Sequence, residues 1–186
     1  ELGPTGVVPE SQYYNSRPNN GKAELPLCGD AGTITIVHYD LWHRAMPNHT
    51  DKNRYMMKFL FARMEEPQYP TWNSENTEWQ PTDDDGDAMW HHLWKWHTGD
   101  RNGVHSAHKG SVADHIEALR GESERACLNA AYTLGEIGEP AVPALIETLH
   151  DESEAVQRNA SYALGAIGAP VVADLIIASD DRNEAV

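Results

Sequence analysis

Cysteine is nearly absent from this 186-residue chain: only Cys28 and Cys127 carry a thiol, and they lie far apart in stretches of different composition. Such a pair implies neither a disulfide framework nor a cysteine-built zinc site, and both read as free thiols. Basic charge is scarce too. Fourteen Lys and Arg stand against 29 Asp and Glu, a formal net charge of -15, which argues against the clustered cationic surface that nucleic acid or an anionic membrane requires. Long apolar runs are also missing. The longest, around Val171 to Ala178, is broken by Asp174 and falls short of the roughly 20 residues of a membrane span. No nucleic-acid or membrane partner is expected. The chain opens on Glu1 rather than Met, within what reads as a strand and turn, so a fragment is expected and the lack of a leader says little. The cytoplasm is the expected location.

The length suffices for one medium domain or two small ones, and two patterns share it. Residues 33–39, "TITIVHY", and 54–62, "RYMMKFLFA", are β-branched or aromatic, and turn-rich "RAMPNHTDKN" lies between them. This predicts two strands joined by a long loop. Alternation sets Thr33, Thr35 and Val37 on one face and Ile34, Ile36 and His38 on the other. Thr5 to Val8 reads as a further strand ending at Pro9. Residues 64–110 then turn polar and Pro-rich and read as a linker or surface excursion, with Trp72 and Trp79 tucked against the body. Within it, "AMWHHLWKWH" (88–97) has Met89, Trp90, Leu93 and Trp94 at helical spacing, which predicts an amphipathic helix with His91, His92 and Lys95 on the opposite face.

From Ser111 onward the chain repeats itself. "ESERACLNAAYTLGEIGEPAVPALIETLHD" (122–151) aligns with "ESEAVQRNASYALGAIGAPVVADLIIASDD" (152–181) at a period of 30, matching Asn129 to Asn159, Tyr132 to Tyr162 and Pro140 to Pro170. Each unit reads as two helices. The first carries Ala130, Leu134 and Ile137 on one stripe and stops at Gly138; the second starts at Pro140 and carries Val142, Leu145, Ile146 and Leu149. Such units stack into an α-solenoid. "SVADHIEALRG" before them reads as a lone second helix, and Glu184, Ala185 and Val186 fall in register with Glu154, Ala155 and Val156, so the expectation is that the solenoid continues. The pattern "ALGAIG" followed by Pro resembles the short HEAT-like repeats of bilin-lyase (PBS-lyase-type) and related bacterial proteins, which implies a helical stack used as an interaction surface for a protein partner.

His38, Asp40 and His43 lie within six positions, and His38-Tyr39-Asp40 spells the H-x-D pair of a two-histidine, one-carboxylate iron site. His43, three residues on in the same segment, is poorly placed to share a face with that pair. The spacing of Gly32, "TITIVHYDLW", His43, Pro47-Asn48 and Arg54, together with "GPTGVVPESQ" (3–12), resembles the closing motifs of the phytanoyl-CoA dioxygenase family of iron(II)- and 2-oxoglutarate-dependent oxygenases. Glu10 stands where that family usually has Gly, and Gln12 where it has His. The resemblance covers about residues 1–63 and implies the C-terminal part of a double-stranded β-helix (jelly-roll, cupin-like). By it, His43 is the distal iron ligand and Arg54 clamps the carboxylate of 2-oxoglutarate with its planar fork of donors. The family's own H-x-D pair falls upstream of this chain, and His38 and Asp40 become strand and turn residues. Asn48 and Thr33 are supporting residues, with Asn48 and Thr50 shaping the loop. The turn alternative for His43 is a ring stacked on Trp42.

The expected fold is thus mixed, β then α: β-helix core over 1–63, linker with one helix over 64–110, and HEAT-like repeats over 111–186. The expected activity, in a complete form, is hydroxylation of an unidentified small organic substrate using Fe(II), 2-oxoglutarate and dioxygen. The fragment itself is expected to be inactive. The rival readings are a non-catalytic HEAT-repeat scaffold with a degenerate β-barrel, and tetrapyrrole handling by the solenoid.

Overall fold

The computed structural model describes all residues except 1, 16–21, 71, 74, 82–85, 101–109 and 182–186. The chain divides into two compact units, Glu1–Met64 and Glu65–Val186. The register match at Glu184 to Val186 lies outside the described residues.

The first unit holds a three-stranded antiparallel sheet of β1 (Thr5–Val7), β2 (Leu25–Leu27) and β3 (His43–Ala45), in the order β2-β1-β3. β1 falls where a strand was expected and is central, pairing Val7 with both Leu25 and His43. The expected strands at 33–39 and 54–62 do not form. Thr33 N–H donates to Asp30 O (3.1 Å) and Leu41 N–H to His38 O (3.3 Å), so turns bound the first of them. Their apolar side chains face solvent, with Ile36 93% and Phe61 90% exposed. A β-branched alternation is compatible with a strand, yet a strand exists only where a neighbour completes its hydrogen-bond ladder. Both edges of β1 are already taken. The first unit is therefore a small sheet with long excursions, and the described residues do not close a jelly-roll barrel.

The second unit is helical. α1 (Asp87–Thr98) is followed by α2 (Val112–Ala118), α3 (Glu124–Ile137), α4 (Val142–Thr148), α5 (Glu154–Ile167) and α6 (Val172–Asp181). Among the described residues no single helix is long and apolar enough to cross a membrane. The period of 30 is visible as two equal hairpins, α3–α4 and α5–α6. Each first helix ends on a glycine with positive φ, Gly138 (77°) and Gly168 (80°), a backbone state that disfavours any side chain. A 3-10 turn containing Pro140 or Pro170 then starts the second helix. Ser123 caps α3 by accepting from Ala126 N–H (3.3 Å), and Ser111 and Asp114 form a reciprocal capping box at α2.

The core consists of small and branched side chains from successive helices: Ala130, Ala131 and Leu134 of α3, Val142 and Leu145 of α4, and Val156, Ala160, Ala163 and Leu164 of α5. α3 and α5 approach backbone to backbone at Gly135, where an added Cβ would lie 2.5 Å from the Ala166 Cβ. Arg120 ties the repeats from outside, meeting Asp151 Oδ2 through Nε and a terminal nitrogen, both at 3.0 Å. Asp151 is held below the usual carboxylate range, first by the Ser153 N–H and then by Arg120.

Gly165 occupies the place of Gly135 one repeat later, but a Cβ there meets nothing within 4 Å. The same substitution is therefore expected to have opposite signs at the two sites. Gly135→Ala should destabilise the helical unit by about 1–3 kcal/mol through overpacking, and Gly165→Ala should stabilise it by up to about 1 kcal/mol through helix propensity. Urea unfolding followed by far-UV circular dichroism measures both; equal shifts would contradict this packing.

Candidate functional site

In the first unit the register of β1 and β3 brings together the two segments that carry the oxygenase resemblance. Val7 lies opposite His43 and Thr5 opposite Ala45, so His43 shares the face of Val7. Ser11, fully buried, pins the approach to His43: its hydroxyl donates to Val8 O (2.6 Å) and accepts from Trp42 N–H (2.8 Å). Just before it, Glu10 is the one described non-glycine residue with positive φ (61°), at the position where the resembled motif has Gly.

The two histidines are held differently. His43 Nδ1 lies 2.7 Å from Leu41 O. A carbonyl can only accept, so the proton sits on Nδ1 and the Nε2 lone pair is left outward, the tautomer a ligating imidazole needs. His38 Nδ1 instead accepts from Asp40 N–H (3.2 Å), which places the neutral ring's proton on Nε2 and leaves no outward lone pair. Asn48 braces its loop, accepting from Thr50 N–H (2.9 Å) and Thr50 Oγ1 (2.8 Å) and donating to Lys52 O (2.7 Å). Arg54 is half-buried, and Thr33 is exposed in its turn. Among the described residues no three His, Cys, Asp or Glu side chains group as a metal site. A facial triad takes three donors and His43 supplies one, so these residues alone do not fit the iron, and no step through iron or 2-oxoglutarate is derived.

Sequence reading missed an ion pair on the opposite face. Arg44 forks onto Glu24, with Nε to Oε1 and Nη2 to Oε2 both at 2.7 Å. Glu24 lies over Gly6, the residue of β1 between Arg44 and Pro26 in the ladder, where a side chain would block it. The carboxylate raises the guanidinium pKa, through its hydrogen bonds first and its charge second.

In the second unit α1 packs against α3; Met89 is buried, as its spacing suggested, while His91 and His92 are half-buried rather than outward and His97 is exposed. His91 Nδ1 meets Glu136 Oε1 at 2.7 Å, with both side chains largely covered. Trp79 stacks on His91 with ring centroids 5.6 Å apart, and His92 lies on Tyr132 at 4.9 Å. Leu93, placed on the packing face by its spacing, is exposed. Trp72 sits beside Trp94 at 5.5 Å. Glu136 gives His91 a covered polar partner, so part of the polar face of α1 is covered along with Met89. Asn129 Oδ1 accepts from Ala88 N–H at the start of α1 (3.0 Å), while its repeat-mate Asn159 donates to Leu119 O (3.2 Å). Met89 lies 30 residues before Leu119, and both are buried.

On the last hairpin no described element takes the place that α5 takes on the first. Val142 is 5% exposed, whereas Val172, its repeat-mate, is 53% exposed; Leu145 is fully buried and Leu175 only half so. Together with Ser161, Leu164, Gly165 and Val171 they line an open apolar groove of about 400 Å³.

The family model for HEAT repeats matches residues 112–186. Neither a curated protein nor a solved structure matches the chain.

Burial on Tyr132 and α3 pushes the His92 pKa below its ordinary value near 6.5, with Lys95 and His91 acting in the same direction and Glu136 opposing. The unfolded chain then binds a proton that the folded chain refuses, so stability falls as pH drops below about 6.5 toward the folded pKa. His92→Phe should preserve the ring packing and show a smaller loss of melting temperature between pH 7 and about pH 5.5 than the parent. An unchanged pH profile would place the acid-sensitive group elsewhere.

Proposed function

We propose that this protein acts through its helical repeats as a protein-interaction module and turns over no substrate. One observation carries the reading: α3–α4 and α5–α6 are two equal helix hairpins stacked on one another at a period of 30 residues. The match of 112–186 to HEAT repeats supports the same reading, since stacked helix pairs offer extended binding surfaces.

A second reading keeps the first unit as part of an iron(II)- and 2-oxoglutarate-dependent oxygenase, with His43 as one ligand and Arg54 as the co-substrate anchor. It is favoured by the outward Nε2 lone pair of His43 and by the pairing of β1 with β3. In that case the substrate is a small organic molecule and dioxygen is the oxidant, both to be met by a larger set of donors than the described residues contain.

The readings separate in one set of measurements. Photo-crosslinking residues placed at Glu122, Glu147 and Tyr162 should give discrete adducts with another protein in cells, and one placed at Tyr39 in the first unit should give none. Succinate formation is measured in the longest natural form of the protein that contains this chain, with iron(II), 2-oxoglutarate and dioxygen, where the interaction reading expects none above background. Succinate formation that disappears in His43→Ala and persists in His38→Ala would replace the interaction reading with the oxygenase one.

A further inference from the structure

α1 is joined to the stack by a different kind of contact from the other helices. The hydrophobic core runs through Leu119 and the buried side chains of α3, α4 and α5, and no side chain of α1 is part of it or packed against it. α1 meets α3 through polar and aromatic groups instead. Asn129 Oδ1 accepts from Ala88 N–H (3.0 Å), Glu136 Oε1 lies 2.7 Å from His91 Nδ1, and the His92 ring lies on Tyr132 at 4.9 Å. Met89 is the buried apolar residue of α1. A helix held in this way opens at a lower free energy than helices that share a core, because resistance to local opening follows buried apolar contact.

Two of the contact groups are imidazoles on adjacent residues, and Glu136 is the carboxylate that serves them. Its charge reaches His92, while Lys95 and His91 on α1 itself oppose a proton there. From α3, Tyr132 brings a phenol that burial keeps neutral, with Tyr162 of α5 acting on it from beside. Segment 65–81 lays the uncharged Trp79 ring on His91. A proton on His91 therefore meets a carboxylate at contact distance. A proton on His92 lies half-buried against a neutral ring, with an ammonium and a second imidazole on the same helix.

Docked, His92 takes a proton less readily than its ordinary value near 6.5 allows, chiefly through burial; undocked, the ring is in water and the ordinary value returns. Acid thus favours the undocked state, from about pH 6.5 downward, by at most about tenfold in the opening constant per pH unit until the docked pKa is reached.

We propose that α1 is an acid-released latch on the helical repeats: protonation of His92 undocks it from α3, while α3, α4 and α5 keep their core. Release bares the side of α3 that carries Asn129, Tyr132 and Glu136, so the surface of the repeats differs between neutral and mildly acidic solution. The latch operates with or without a partner on the repeats, and its failure leaves the interaction reading untouched.

Amide hydrogen exchange on the whole chain, at about pH 7.5 and about pH 5.5 and corrected for the intrinsic pH dependence of exchange, follows the latch. An undocked helix of this length is marginal in water, so α1 amides lose protection on release. Protection of α1 should fall about three- to tenfold at the lower pH, with α3 and α5 unchanged. His92→Phe keeps a ring on Tyr132 and removes the titrating group, so its α1 should match the parent at the higher pH and change less than about twofold on acidification. Where His92→Phe has already lost α1 protection at the higher pH, the ring-proton resonance of His92 in the parent decides instead, and it should titrate below about pH 6.5. A fall shared by all three helices, no fall in α1, an unaltered fall in a docked His92→Phe, or a His92 titration at or above its ordinary value would overturn the latch.

Discussion

Everything in the helical unit depends on the close approach of α3 and α5 at Gly135. Without a side chain there, Ala163 and Ala166 come against the α3 backbone, and the two hairpins stack at a spacing that buries Leu134, Leu145 and Leu164 together. Helix packing of this kind is decided by the smallest residues rather than the largest, since the interaxial distance depends on what stands at the contact. The same contact surface recurs at Gly165, where no described residue comes within 4 Å of an added Cβ, while α1 packs on α3 with His91 at Glu136 and His92 on Tyr132.

The first unit follows a different constraint. Its strands are three residues long and its largest apolar side chains are outside, so the sheet is held by pairing and by a few polar locks rather than by a core. Ser11 under Trp42 and Glu24 across Gly6 to Arg44 are two such locks. Both are short-range in space and long-range in sequence, between residues of ordinary polar type. The ladder sets the two segments that resemble an oxygenase side by side, and the tautomers separate the two histidines chemically. The His-x-Asp spelling at 38–40 resolves into a turn in which the ring accepts from the backbone, whereas His43 keeps a free lone pair.

Legibility differed between the halves for a physical reason. The hairpins of the second unit were readable because each signal is local: a serine before the helix, glycine where φ turns positive, proline in the next turn, and apolar spacing that repeats after 30 residues. The extended segments at 33–39 and 54–62 were misread because β-branched alternation states a preference, and only a neighbouring strand makes it a structure. Helix α1 lies where its spacing places it and buries Met89, but part of its polar side is covered as well. Hydrophobic spacing put Leu93 inside and His91 outside, and the acidic partner that reverses this, Glu136, lies 45 residues away on another helix.

Sequence by itself determined the acidic balance, the scarcity of thiols, the period of 30 and the helix starts and stops, since composition and local backbone preference need no partner to act. Tertiary structure alone decided which strands found a ladder, which face of α1 was buried, which histidine kept its lone pair outward, and that Gly135 is covered while Gly165 is bare. Those outcomes depend on what stands opposite each residue in space, and no window of neighbouring residues contains that information.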